Sequence, residues 1–382
     1  MARQGFCCAI RLLQRRIIMP FLLDIDNRPS KKNTTRVVCA LAFVVFSFTY
    51  LFFYQSEVLA AGQHVLSGGQ THYERLIGAI LITLALYLLQ LLVAHFVQLK
   101  KRAHAMTYFP SLFILTIITD VSPNIDLGFS LGGWWVAIPI LTIVYSMCVW
   151  MLKQIEPFEP EPLSEGLLSR TTWINLLAMV FMFLAVGVFS NGDEVFHYRM
   201  KMEKLIQQGK YEAALNVGKS SLATDPSLTM LRAHALAKKQ QLGNRFFHYP
   251  VPPHLSSLLP NDSNSRTVLL HDSIVSGFAS KGWARVDYKL LELLLERELE
   301  SFSTIVRKVY PDSLMPRHYA EALIQYQYFS GKPMAENVDR VVETDFHDFR
   351  KMEMEYPKEI APNYLRRTFG NTYWYYYKYG GK

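Results

Sequence analysis

The chain has little charge for its length. Of its 382 residues only 19% are Asp, Glu, Lys or Arg, half are hydrophobic, and the mean hydropathy is slightly positive at +0.09. Ordinary soluble domains carry about 25% charged residues, so a wholly soluble protein is a poor reading. Cysteine is scarce too. Cys7, Cys8, Cys39 and Cys148 are the only four, none lies in residues 191–382, and there is no CxxC pair or Cys/His cluster at zinc spacing. No metal site and no cofactor are expected, and a thiol-free C-terminal half suits an oxidising compartment. A basic domain is missing as well. The net charge is +8, yet the halves divided at residue 190 hold 14 Lys/Arg with 10 Asp/Glu and 26 with 22. Eight Lys/Arg and two Asp fall in residues 1–36, so the excess sits in a leader and nucleic-acid binding loses its main argument.

What is present is apolar runs. A bilayer core needs about 20 apolar helical residues, because backbone polar groups find no water there. Val37 to Tyr54, Leu76 to Val97, Leu131 to Leu152 and Trp173 to Ser190 qualify. Tyr108 to Thr119 is 12 residues long and reaches 17 only when extended back through His104 to Ala103. Arg28, Lys31, Lys32 and Arg36 precede the first run, which reads as an uncleaved signal anchor with its N-terminus cytoplasmic. The loop at 55–75 holds only Arg75, the next carries Lys100, Lys101 and Arg102, and 121–130 has no Lys or Arg. That alternation predicts five spans and an extracytoplasmic C-terminal half. Arg199, Lys201, Lys204 and Lys210, which follow the last run, favour four spans and a cytoplasmic one. Long domains translocate largely regardless of charge, so the five-span reading is preferred.

After Ser190 the pattern becomes amphipathic helices. In Tyr198 to Pro226, Met202, Leu205 and Ile206 share a face, Gly209 breaks the helix, and Tyr211, Ala214 and Leu215 begin a second helix that ends before Asp225. With Gly209, Tyr211, Ala214 and Pro226 at these spacings, and Tyr198 where Trp is common, the hairpin resembles a tetratricopeptide repeat. Met202, Gly218 and Ser221 depart from that pattern. A third helix is predicted over Ser227 to Leu242, a long one over Tyr288 to Val309 with Asp287 as N-cap, and others over Pro316 to Tyr328 and Asn337 to Glu355. Residues 244–286, rich in Pro, Ser and Asn, read as an extended loop. The layout as a whole resembles that of uncharacterised multi-pass bacterial inner-membrane proteins, which implies an architecture and no mechanism.

Chemical motifs are few. Val217-Gly218-Lys219-Ser220 imitates the end of a phosphate loop but has Ala213 where the motif needs Gly, and the segment reads as helical. His347 between Asp345 and Asp348 reads as a solvated face, since helical neighbours diverge. His248, His254 and His271 fall in the extended loop. In the spans Gln90, His95, Asp120 and Asn175 are the polar candidates, with His95 and Asp120 near span ends. The aromatic run from Phe369 to Tyr379 reads as a segment docked on a core, with a membrane-interface anchor and a sugar or peptide platform as alternatives.

The expectation is an all-α protein: a cytoplasmic leader (1–36), a membrane bundle of about five spans (37–190) and a helical, partly tetratricopeptide-like domain (191–382). Its expected role is membrane-anchored interaction or scaffolding toward a protein or peptide partner, with the lipid bilayer as its other partner and no nucleic acid. The alternative is an integral-membrane enzyme or transporter acting on an envelope lipid or glycan, using Asp120 and His95. No residue is assigned as catalytic, cofactor-binding or metal-ligating.

Overall fold

The computed structural model describes residues 34–382 apart from 129, 156–168, 254, 256, 262–264, 312–313, 332–338 and 381–382. The leader therefore lies almost wholly outside the described residues, as does His254. Among the described residues the fold is all helical, with only an isolated bridge between Asn261 and Ser265.

Among the described residues, four helices are long and apolar enough to cross a membrane. The first is α1 (Thr34–Thr49), extended by a π-helical turn to Tyr54. After the short α2 (Ser56–Leu66) comes the second, α3 (Arg75–Val97). The short fifth run is built as a 3-10 helix, Lys101–Tyr108, running into α4 (Phe109–Thr119). The remaining two are α5 (Trp134–Ile155) and α6 (Arg170–Phe189).

The chain forms two compact units. One holds residues up to Phe48, Thr83–Ile114 and Val136–Ala185; the other holds Thr49–Ile82, Leu115–Trp135 and Val186–Lys382. The second unit takes in one end of each apolar helix and the connections at 55–74 and 120–133. In the first unit Phe46 stacks on Phe183 at 4.0 Å and Phe109 on Tyr145 at 5.2 Å. The outer faces stay apolar and bare: Leu88, Phe96, Ile143 and Phe181 are all exposed, and α5 has no buried residue. Such a surface is stable against lipid and not against water.

In the second unit Asp193 caps α7 (Glu194–Gln207) by accepting the N–H groups of Val195 and Phe196. Gly209, at φ +70°, ends that helix as expected. The next helix, α8 (Tyr211–Leu215), is far shorter than predicted. The chain turns at Gly218, whose φ is +59°, and the Tyr198 ring fills the place a larger side chain would take. The Val217 to Ser220 segment is therefore a turn and not helical. Asp225 caps α9 (Pro226–Lys238), and every residue from Ser227 to Ala237 is buried, so α9 is enclosed on all sides.

Further on, α10 (Leu242–Arg245) leads into a loop, but Asp272 to Ala279 is helical (α11), which corrects the extended-loop reading for that stretch. The predicted long helix is two: α12 (Gly282–Leu295) and α13 (Leu299–Val309), folded back at Arg297, which adopts φ +63°. Asp287 is inside α12 and not its cap. Then follow α14 (Arg317–Ser330), α15 (Arg340–Glu355), α16 (Ala361–Phe369) and α17 (Tyr373–Tyr379). The main core runs from Met202 to Tyr373, and a second gathers Ile324, Phe346, Phe349, Leu365 and Trp374.

Candidate functional site

Three helix ends meet in the second unit. Gln55, just past the first apolar helix, donates from Nε2 to the Tyr50 hydroxyl and to the Asn191 carbonyl, each at 3.0 Å. Asn191, just past α6, donates its backbone N–H to Thr119 at the end of α4 (3.2 Å), and its side-chain amide donates to the Val121 carbonyl. The Tyr50 and Ser190 hydroxyls are also hydrogen-bonded. These contacts pin residues that lie about 70 and 140 positions apart in the chain.

Beside this junction is a cleft of about 900 Å³. One wall is α2, through Leu59, Gly62 and Leu66; another is Tyr73, just before α3, with Ile82 of α3; a third is the end of α4, through Ile117 and Ile118. The loop into α5 closes it with Pro123, Ile125, Leu131 and Trp134. Polar atoms come from Gln63, Ser67, Asp120, Ser122, Ser130 and Asn191. Asp120 accepts the indole N–H of Trp134 at 2.7 Å. Gly78 is fitted to Tyr73, since a Cβ there would stand 2.2 Å from the ring. The Tyr73 hydroxyl is buried and has no hydrogen-bond partner among the described residues, and burial together with Glu57 raises it to about 12.

The cleft floor is tied into the rest of the unit. Ile125 joins Val58, Ala61, Phe196, Met200 and Val268 in a small core. Asp126 pairs with Arg266 at 3.2 Å, and Arg266 also donates to Asn124. Two residues further on, the N–H groups of Val268, Leu269 and Leu270 all donate to one oxygen of Glu203, at 2.9, 2.6 and 3.1 Å. Glu203 is wholly buried, and burial raises its carboxyl to about 7 although those N–H groups and Arg199 pull the other way.

The polar residues marked in the sequence divide. Asp120 lines the cleft; His95 is exposed beside Phe96 and is not part of it. Asn175 is spent on backbone: its oxygen accepts the Ala105 N–H at 2.6 Å, and its amide donates to the carbonyls of Lys101 and Thr171. Gln90 donates to Thr107 at 3.0 Å. Both serve the 3-10 segment, where the ordinary helical ladder is broken. His347 and Asp348 are exposed while Asp345 pairs with Arg317, so no acid/base group is assembled there. His271 caps α11, and His248 packs edge-on against His318. Among the described residues no group of three or more His, Cys, Asp or Glu is placed to hold a metal.

The aromatic tail docks. Tyr373 and Trp374 are fully buried, with the Tyr373 hydroxyl donating to Leu294 and the Trp374 indole to the Glu321 carbonyl. It leaves a pocket of about 210 Å³ between Phe346, Phe349, Trp374 and Tyr377, beside the exposed Tyr328 and Phe329.

Sequence reasoning passed over the cleft. Its signals were a short amphipathic helix inside a loop, at 56–66, and the glycines 128, 132 and 133 ahead of α5. Chemically the described lining offers one carboxylate with hydroxyls and amides, and no His, Cys or Lys to pair with them, an arrangement suited to holding a ligand. The family model described as "Family of unknown function (DUF6057)" matches residues 123–276 and 283–380. No curated protein and no solved structure matches the chain.

Proposed function

The chain belongs to the DUF6057 family, whose function is unknown, and from that premise we propose that it is a membrane-anchored interaction protein. Five crossings hold it in a bacterial inner membrane, and the helical module after residue 190 faces away from the cytoplasm toward a protein or peptide partner. The observation that carries this reading is Asn191. It bonds to Gln55 and to Thr119 at once, so the ends of the first apolar helix, of α4 and of α6 share one side. With four crossings, 55 and 191 would fall on opposite sides and the Gln55–Asn191 hydrogen bond could not form. The lysines and arginines before α1 set that side as extracytoplasmic, and the layout resemblance points to a bacterial inner membrane.

The module supports the interaction reading through its exposed aromatic edge. Although the α7–α8 hairpin is tetratricopeptide-like, the helix that follows it is enclosed, so no concave repeat surface is free there. Tyr328 and Phe329, beside the small aromatic pocket, are the surface offered instead to an apolar side chain of the partner. The second reading, an enzyme or transporter for an envelope lipid or glycan, keeps Asp120 in the cleft but loses His95 from it.

Single cysteines at Leu66, Leu127 and Met354, in a background without the native four, test the orientation. All three are expected to react with an impermeant maleimide from the extracytoplasmic side, and Lys100→Cys only after permeabilisation. Labelling of the Leu66 and Met354 positions from opposite sides would end the five-crossing reading. In-cell crosslinking tests the partner: Phe329→Asp is expected to remove a specific adduct, and an unchanged adduct pattern counts against that surface.

A further inference from the structure

We infer that the cleft between α2, α3, α4 and the loop into α5 binds one membrane lipid, with an acyl chain among its isoleucines and a primary-ammonium head group on Asp120. The cleft is amphiphilic along its depth. Ile82 lies two turns inside α3 and Ile117 and Ile118 belong to the last turn of α4, so this end of the lining is at hydrocarbon depth. Gln63, Ser67, Asp120 and Ser122 lie outside the long apolar helices, at head-group depth. Tyr73 and Trp134 stand at the boundary, where aromatic rings with one polar atom are favoured. Ile80 and Leu81, next to Ile82, are exposed apolar residues of the same helix, which makes the apolar lining continuous with lipid-facing surface.

Charge selects the head group. Among the described lining residues Asp120 has the only formal charge, and no Lys, Arg or His is present to hold a phosphate alone. Asp120 is exposed and gives one oxygen to Trp134, which leaves the other to accept from an ammonium. A volume of about 900 Å³ accommodates a chain and glycerol region, at the upper end of ordinary ligand pockets. The inference rests on α3, α4 and α5 all crossing the membrane, as in the five-crossing reading, and not on which side the module faces.

The test uses the full chain in phosphatidylcholine vesicles doped with phosphatidylethanolamine or phosphatidylglycerol carrying a diazirine on the acyl chain, with adducts mapped after irradiation. Adducts are expected to concentrate in residues 59–82 and 115–134, several-fold more with the ethanolamine probe. Asp120→Asn is expected to abolish that preference while leaving chain labelling in place. Ser67→Trp at the mouth and Gly62→Leu in the wall are expected to cut cleft adducts at least five-fold, with labelling of the exposed face of α5 unchanged as the check on folding. Cleft labelling no greater than that of α5, equal labelling by the two probes, or indifference to both filling variants overturns the assignment. Absence of adducts on α5 as well would instead sink the membrane-crossing reading.

Discussion

The buried carboxylate of Glu321 accepts the backbone N–H of Tyr373 at 2.7 Å, across 52 residues of sequence. The same carboxylate takes Arg317 at 3.0 Å and His318 Nδ1 at 2.9 Å, so α14 and the last helix share one buried polar knot. Removing one member of such a network strands the others, which costs about 3–5 kcal/mol. Glu321→Ala in the full chain is therefore expected to lower the melting temperature markedly and to expose the tail to protease. His347→Ala, an exposed change on α15, is the control. Equal melting of the two variants would show that the tail is held by its rings alone.

Glu203 makes the module sensitive to pH. Its carboxyl is raised from 4.5 to about 7 when folded, chiefly by burial. Between those values the unfolded chain has lost the proton that the folded chain keeps, so stability is fullest below about 4.5 and falls as pH rises to about 7. The loss amounts to a few kcal/mol, because each tenfold difference in proton affinity between the two states is worth about 1.4 kcal/mol. Glu203→Gln keeps an acceptor for the N–H groups of Val268, Leu269 and Leu270 and is expected to flatten this part of the profile. Melting of the native chain and the variant at pH 5 and pH 8 checks it, and parallel profiles would remove Glu203 as the source.

Much of the architecture was legible in the sequence because each part had a local cause. The apolar runs gave the crossing helices, Gly209 gave the hairpin turn, and Gly331, at φ +63°, gave the end of α14. The break at Arg297 was not legible, since no Gly or Pro marks it and the apolar spacing runs on through both halves. It depends on tertiary contacts, among them the Arg297 guanidinium donating to the Gly380 carbonyl at 2.6 Å. The cleft was hidden for the same reason. Its walls come from residues 59 to 191, and only folding shows that Asp120 faces a cavity while Asn175 is occupied with backbone.

Gly218 is required by Tyr198. A Cβ at Gly218 would lie 2.6 Å from the Tyr198 ring, on a backbone at φ +59° that side chains rarely adopt. Gly218→Ala is expected to cost about 1–3 kcal/mol, from backbone strain plus the clash. Pairing it with Tyr198→Ala separates the two, because the second change relieves the clash and leaves the strain. A double-mutant cycle with no coupling between these positions would mean that the ring does not shape the turn.

Asn175 offers the sharpest separation of structure from function in the membrane. Its oxygen satisfies the Ala105 N–H and its amide the Lys101 carbonyl, at the 3-10 segment where intrahelical partners run short. Substituting Val keeps similar bulk but strands both groups where no water replaces them, a loss of about 1–3 kcal/mol for each. Asn175→Val should therefore reduce both the melting temperature in detergent and the amount of folded protein in the membrane. His95→Ala, at an exposed position, should change neither. If Asn175→Val melted like the native chain yet abolished a cellular phenotype, Asn175 would act on a ligand, and the structural account of this residue would be wrong.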